Sequence, residues 1–457
     1  MSSKPAVEYD LAALLSLCAE GVREGKRRGA DEVEVTAAFG ESSSVAFEKN
    51  DLQIASSDSE CSFGVRVIRG DCVGFATSND PGTLAETVAD ALVIAAAAVP
   101  DPCNRLPDAR PMRRIDGLCD ESVRELTVAR MTAIGAALLE RVRSRDPRVS
   151  IDNGSVSASF GRRAIVSSRG VQAADEGTSV GGSLFGMAID GDEVGSFVVE
   201  GLGTRRAQAL ESHLLTVADR FVEKAIGALH PQKGESYKGL VLFSPEAVES
   251  LLVGNLVTMI SAPTIRKGKS PLAKKLGEAV ASASFTLVDD GTRAGEIGSA
   301  MFDREGLPHE RTVLVENGVF RTAIYNHYEA LRAGRSGGST GHAAGGVTGL
   351  PSVGTTTLRL EPGATALADI IRGAGRCVLV TRFSGSTNVI SGEFSGVVKA
   401  GFLLEDGDKR PITETLISGN LLDVFKSVAA LSSEVEKLYG HEEMPYLLAD
   451  GISVTAG

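Results

Sequence analysis

Between residues 32 and 199 the chain repeatedly interrupts strand-forming runs with dipeptides that favour tight reversals, and this punctuation constrains the fold most. Gly70-Asp71, Asn153-Gly154, Arg169-Gly170 and Asp190-Gly191 supply residues that tolerate positive φ, as two-residue hairpin loops require. Around them lie Glu32 to Phe39, Ser44 to Glu48, Ser62 to Ile68, Cys72 to Ala76, Val149 to Ile165, Gly170 to Ala174 and Val180 to Val199, with the alternation and β-branched content of strands. Strands joined by such short loops run antiparallel.

Helices frame these strands. Residues 9 to 28 place Leu11, Leu14, Leu15, Cys18 and Val22 on one stripe and end in Lys26-Arg27-Arg28 before Gly29. Further helical spacing covers 83 to 98, 121 to 144 and 205 to 228, the last running into the breaker segment His230 to Ser236. Residues 101 to 120 carry Pro102, Pro107 and Pro111 without a period and read as a linker. From Tyr237 on, short apolar strands such as Gly239 to Phe243 and Cys377 to Thr381 stand between loops dense in Gly and Ser. At 457 residues the chain exceeds the roughly 250–300 at which single cores stop growing. The expected fold is therefore mixed α/β, with an N-terminal helix-and-antiparallel-sheet domain followed by a strand-rich C-terminal domain. The expected units are 1–100, a linker at 101–120, a central unit at 121–235 and a C-terminal domain at 236–457.

A net charge of -12 argues against a nucleic-acid partner, because phosphate backbones are held by clustered Lys and Arg. The two small basic patches, Arg266-Lys267-Gly268-Lys269 and Lys274-Lys275, lie in a loop without aromatic residues to stack bases. The six cysteines, at 18, 61, 72, 103, 119 and 377, form no C-x-x-C pair and fit reduced, buried thiols. No apolar run approaches the 18 or so residues of a membrane span, and the N-terminus shows no secretory h-region, so the expected address is cytoplasmic.

Common catalytic signatures fail. Gly268-Lys269-Ser270 resembles the tail of a P-loop, but Pro263 stands where the first glycine is required. Ala344-Gly345-Gly346-Val347-Thr348-Gly349 approaches a dinucleotide fingerprint without a strand before it or a helix after it. Two overlapping G-x-S-x-G matches, centred on Ser336 and Ser339, follow Tyr325 to Ala333, which reads as a helix rather than the strand a nucleophile elbow needs. Asp289, Asp290, Asp303, Glu305, His309, His327 and His342 are the one gathering of possible ligands, but no two of the histidines have helical ligand spacing. The segment Ser244-Pro245-Glu246-Ala247-Val248-Glu249-Ser250 follows a strand and reads as a helix start. Ser244 suits the cap, Pro245 the first helical position, and Glu246 the positive end of the helix dipole.

That strand-helix segment resembles the TldD/PmbA family of metallopeptidases, in which the helix bears H-E-x-x-x-H. Two histidines there hold zinc and the glutamate acts as general base. Aligned on it, this chain has Pro245 at the first histidine, Glu246 at the glutamate and Ser250 at the second histidine. The resemblance continues through Ser299-Ala300-Met301-Phe302-Asp303-Arg304-Glu305-Gly306, Glu316-Asn317-Gly318, Thr340-Gly341-His342-Ala343, Asn388-Val389-Ile390-Ser391-Gly392-Glu393-Phe394-Ser395 and Thr415 to Leu421. In the N-terminal part it rests on element order, Gly64-Val65-Arg66-Val67 and Gly74-Phe75-Ala76. The histidine-bearing TldD side also supplies a late cysteine ligand, whereas no cysteine follows Cys377 here.

The resemblance thus implies the PmbA side, also called TldE: a subunit without catalytic residues or metal of its own, paired with a TldD-like protein that carries the zinc. It implies an extended peptide or small amide as substrate and no membrane or nucleic-acid partner. The loops 334–346 and 388–395 are the expected substrate contacts, through Gly341, His342, Asn388, Ser391 and Gly392, whose glycines permit close backbone approach. Two other readings stay open: an autonomous amide hydrolase of a specialised pathway using the 289–342 cluster, and a non-enzymatic protein-binding regulator.

Overall fold

The computed structural model describes residues 9–438, 440 and 442–457. Its first half is built on two very long hairpins. Strand β1 (Glu32–Glu48) pairs with β2 (Asp51–Arg69) from Glu32↔Ile68 to Glu48↔Asp51, and β2 pairs in turn with β3 (Cys72–Ser78). Strand β4 (Val149–Ser167) pairs with β5 (Gln172–Asp190), which pairs with both β6 (Glu193–Val194) and β7 (Val198–Thr204). The hairpins join where β1 lies against β4 from Glu34↔Ser167 to Glu48↔Asn153. One antiparallel seven-stranded sheet therefore crosses the expected division between residues 100 and 121.

The strands are longer than local pattern suggests. Residues 40–44, rich in Gly and Ser, break the apolar alternation of β1, yet pairing on both sides carries it through, with hydroxyl contacts Ser43–Ser57 (3.0 Å) and Ser44–Ser56 (3.1 Å). The reversal falls at Lys49-Asn50, both at positive φ (51° and 63°), a pair the sequence reading passed over. Asn153-Gly154, expected to turn, instead lies within β4 beside a register shift at Ile151/Asn153. Gly70-Asp71, Gly170 and Gly191 do stand at strand ends with positive φ.

One face of the sheet is covered by helices in two places. Val33, Val35, Ala37 and Phe39 pack under α1 (Leu11–Arg27) and α2 (Leu84–Ala97). Gly25 permits that approach, since a Cβ there would lie 2.8 Å from Val33 Cγ2. After the four-residue α3 (Glu121–Arg124), Thr127 restarts the helix by accepting the Arg130 N–H, giving α4 (Val128–Arg145). Val45 and Phe47, of the same parity on β1, pack under α4 and α5 (Leu210–Gly227). The C-terminal half holds a second, mixed sheet of fourteen strands among the described residues. In it the apolar strand Tyr237–Phe243 lies parallel to Arg376–Val380 and antiparallel to Glu442–Ala456. No helix among the described residues is long and apolar enough to cross a membrane.

Buried charges dock the halves. Glu34 on β1 (1% exposed) meets Arg66 of β2 at 2.5 Å and Arg304 of the C-terminal half at 3.0 Å, and Arg66 reaches Glu305 at 3.3 Å. The signs alternate along Arg304–Glu34–Arg66–Glu305, so each buried ion faces its opposite. Arg163 forks onto Asp175 and donates to the Phe302 carbonyl, while Arg205 donates to the Glu296, Ile297 and Ser299 carbonyls. The segment 296–305 is thus held by side chains of the first sheet. Residues 101–120 form neither helix nor strand and run across to the C-terminal half, where Tyr328 donates to Asp101 and Arg110 to the Gly337 and Ser339 carbonyls.

Replacing Arg66 with Met leaves Glu305 without a cation and Glu34 with Arg304 alone. The expected loss is about 3–5 kcal/mol, the cost of breaking a buried pair, read as a lower denaturation midpoint. Arg27→Ala, which removes an exposed partner of Glu24, is expected to leave the midpoint unchanged.

Candidate functional site

The strand Tyr237–Phe243 delivers the chain to Ser244, whose extended backbone (φ −68°, ψ 164°) and hydroxyl, accepting from the Ala247 N–H at 3.4 Å, start a helix with Pro245 in its first turn. The helix begins as Pro245–Ala247, widens to a π-helix over Val248–Val253 and returns to α over Gly254–Met259. In an α-helix positions five apart differ by about 140° around the axis, which would turn the two outer positions of an H-E-x-x-x-H pattern away from each other. A π-helix bonds i to i+5 and narrows that angle. The chain keeps the helical form that this spacing needs, with Pro245 and Ser250 at the outer positions. No glycine or proline lies within 248–253, so no residue announces the π-stretch.

Proline has no donor atom to offer, and the Ser250 hydroxyl donates back to the Glu246 carbonyl at 2.6 Å. The Glu246 carboxylate holds an ammonium group. Lys224 Nζ of α5 lies 2.6 Å from Glu246 Oε1 and 2.5 Å from Glu200 Oε1 of β7, and Arg220 lies 3.3 Å from Glu200 Oε2. The Ser244 hydroxyl stands 2.8 Å from the other Glu246 oxygen and 3.1 Å from the Thr381 carbonyl. Burial alone would push the Glu246 carboxyl up, but Lys224 and Ser244 outweigh it and hold the group below its ordinary value. Burial likewise opposes the Lys224 charge, and the two carboxylates overcome it and raise the ammonium. Nearby, burial and the Glu246 charge push Glu436 up while Tyr446 donates to it at 2.9 Å. One carboxylate already paired, a proline and a committed hydroxyl do not make a zinc donor set. Among the described residues no group of three or more His, Cys, Asp or Glu is placed to hold a metal ion.

The acidic and imidazole residues of 289–342 are used by the fold. His342, 2% exposed, places Nε2 2.8 Å from Asp289 Oδ2, and Asp289 also accepts from the Thr356 and Thr357 N–H groups. Asp290 caps Thr292. Asp303 accepts from the backbone of Glu305, Leu307 and Ala343, while burial and the neighbouring Glu305 push its carboxyl up to about 7. Glu305 joins Arg66 and accepts from the His327 N–H. Burial, followed by nearby arginines, drives both His309 and His327 down to about 4, so both rings are neutral near pH 7. In the basic loop, Arg266 forks onto Glu329.

The two expected substrate loops differ. In 334–346, Ser339 is buried and donates to the Tyr325 carbonyl, Gly341 has φ +74°, and His342 is enclosed against Asp289. Residues 388–392 form the tip of the hairpin between Arg382–Thr387 and Glu393–Lys399, with Asn388, Ile390 and Ser391 exposed and Gly392 buried. There Asn388 Oδ1 accepts from the Ile390 and Ser391 N–H groups, Ser391 pairs with Glu393, and Gly392 at φ +81° packs on Asn420. No hydrogen bond joins the two loops among the described residues. Lys224 and Glu200, which complete the Glu246 site, lie 22 and 46 positions before it in the chain, and no local signal pairs them.

Models of the PmbA/TldA metallopeptidase family match three stretches of the chain: domain 1 over residues 33–95, the central domain over 121–229 and the C-terminal domain over 236–456. A Haemophilus influenzae protein named metalloprotease PmbA homolog is 27% identical over 444 residues, covering 94% of this chain and 93% of that protein. An uncharacterised protein of Methanocaldococcus jannaschii is 32% identical over 202 residues, so the chain spans 47% of that relative's length and 44% of its own. In three dimensions the chain shares its fold with TldE from Thermococcus kodakarensis, at a TM-score of 0.88 and 23% identity, covering 96% of this chain and all of that one.

The depressed histidines fix the sign of an acid effect. With folded values near 4 against an ordinary 6.5, their contribution to stability is complete above about 6.5 and is lost as pH falls through 4. Tm is expected to fall over that window, and His309→Asn to flatten the fall; an unchanged slope would show that His309 is not held neutral.

Proposed function

Because the chain belongs to the PmbA/TldD metallopeptidase family, we propose that it works as the zinc-free subunit of a peptide- or amide-hydrolysing pair, stabilising a TldD-like catalytic partner and shaping the substrate cavity. The observation that carries this reading is the Lys224 ammonium on Glu246. At the position where the family motif provides a general base for metal-bound water, the carboxylate is neutralised by an internal cation and both flanking imidazoles are replaced. A carboxylate held in that way is a poor base.

The geometry also suggests how this subunit holds substrate. Among the described residues, strand Arg382–Thr387 pairs on one side only, with Glu393–Lys399, and its residues 384–386 are exposed. An extended peptide laid along the open side gains main-chain hydrogen bonds irrespective of its sequence. The autonomous-hydrolase reading draws no support from 289–342, where Asp289, Asp290, Asp303, Glu305 and His342 serve turns, ion pairs and the docking of the two halves.

The test is to purify the chain alone and together with a TldD-like protein and to follow cleavage of an unstructured peptide. Cleavage by the mixture, above that of the partner alone, with none by the isolated chain is expected. Cleavage by the isolated chain at a comparable rate would refute the proposal. A substrate N-methylated at alternate backbone positions should be cut at least tenfold more slowly by the mixture, since methyl groups block pairing with a strand edge.

A further inference from the structure

A cavity of about 240 Å³ opens above the Glu246–Lys224 pair. Its walls are apolar and cationic together. Lys409 Nζ sits 4.0 Å over the Phe402 ring, and the Arg382 guanidinium 4.1 Å over the Phe197 ring. Val198, Val199, Leu379 and Ala400 add apolar surface to the lining. Of the acids that line the cavity, Glu246 is bound to Lys224 and Glu223 lies exposed on α5. No carboxylate lies within ion-pair distance of Lys409 among the described residues, and burial pushes its ammonium down although the Glu223 charge opposes this. The nearby hydroxyls are committed, Thr381 to the Lys399 and Ala400 carbonyls and Tyr446 to Glu436. An entering group therefore meets apolar surface and an ammonium donor without an anionic partner.

Arg382 is also the first residue of the open-edged strand Arg382–Thr387. A peptide paired with that edge ends at the cavity. We propose that the cavity is a carboxylate pocket that receives the C-terminal residue of a peptide, its apolar side chain between the Phe402 and Phe197 rings and its carboxylate on Lys409 and Arg382. This rests on the peptide-holding role proposed above and adds a polarity to it, fixing which end of the substrate this subunit grips. A desolvated ammonium on an aromatic face attracts a carboxylate more strongly than a solvated one.

The experiment is direct titration of the full isolated chain with N-acetyl-Ala-Ala-Phe, with its C-terminal carboxamide and with phenylacetate, followed by calorimetry. The free acid is expected to bind at least tenfold more tightly than the amide, and Lys409→Gln, which breaks no ion pair among the described residues, to abolish that preference without shifting Tm. Phenylacetate should bind at least tenfold more weakly than the tripeptide, because it cannot pair with the strand edge. Equal binding of acid and amide, or a preference surviving both Lys409→Gln and Arg382→Gln, would overturn the pocket. Phenylacetate binding as tightly as the tripeptide would overturn its assignment to peptides. Peptide cleavage by the mixed pair with no carboxylate preference here would sink this inference alone and leave the subunit role standing.

Discussion

Everything placed near Glu246 depends on how the two halves of the chain are docked, and that docking rests on the buried run Arg304–Glu34–Arg66–Glu305. Burying four charges is costly unless every one is paired, so the alternation of sign is what makes the interface tolerable. Two charges come from the first sheet and two from the C-terminal half, so the run is complete only when the halves meet in one register. The same docking brings α5 and β7 against the helix at Pro245, which is how Lys224 and Glu200 reach a carboxylate of the other half. The site is thus an interface feature, although its motif is local.

That relation explains what the sequence could disclose. The helix start at Ser244 to Glu246 was legible because capping is local chemistry: a hydroxyl, a proline and an acid in consecutive positions. Helices α1 and α2 were legible from their apolar stripes, and the reversals at Gly70-Asp71 and Gly170 from residues that accept positive φ. The long strand β4 was legible as Val149 to Ile165, but the full length of β1 was not, because Gly40 to Ser43 lack strand character and are held by partners on β2 and β4. Asn153-Gly154 misled for the same reason, a turn-forming pair absorbed into a strand by pairing on both sides. Lys224 could not have been matched to Glu246 from spacing, and the π-stretch at Val248–Val253 contains no residue that signals it. The cluster at 289–342 looked like ligands because acids and imidazoles were close in sequence, whereas the fold spends Asp289, Asp303, Glu305 and His342 on Arg66, on backbone N–H groups and on one another.

Membership of a metallopeptidase family sets the frame, while the side chains aligned with its motif, Pro245 and Ser250, have a different chemistry from histidine. A divalent ion at such a site polarises water and needs open coordination. An ammonium held between two carboxylates offers positive charge with no vacant orbital and no exchangeable water. In the role proposed above, such a centre serves binding rather than catalysis. This agrees with cationic, aromatic walls above it and a strand edge that is unpaired among the described residues.

The most direct measurement of this account is anomalous diffraction at the zinc edge from crystals of the chain grown with zinc. The account predicts no anomalous peak within bonding distance of Glu246, with density for the Lys224 ammonium between Glu246 and Glu200. A zinc peak bonded to Glu246, with Lys224 displaced, would contradict it.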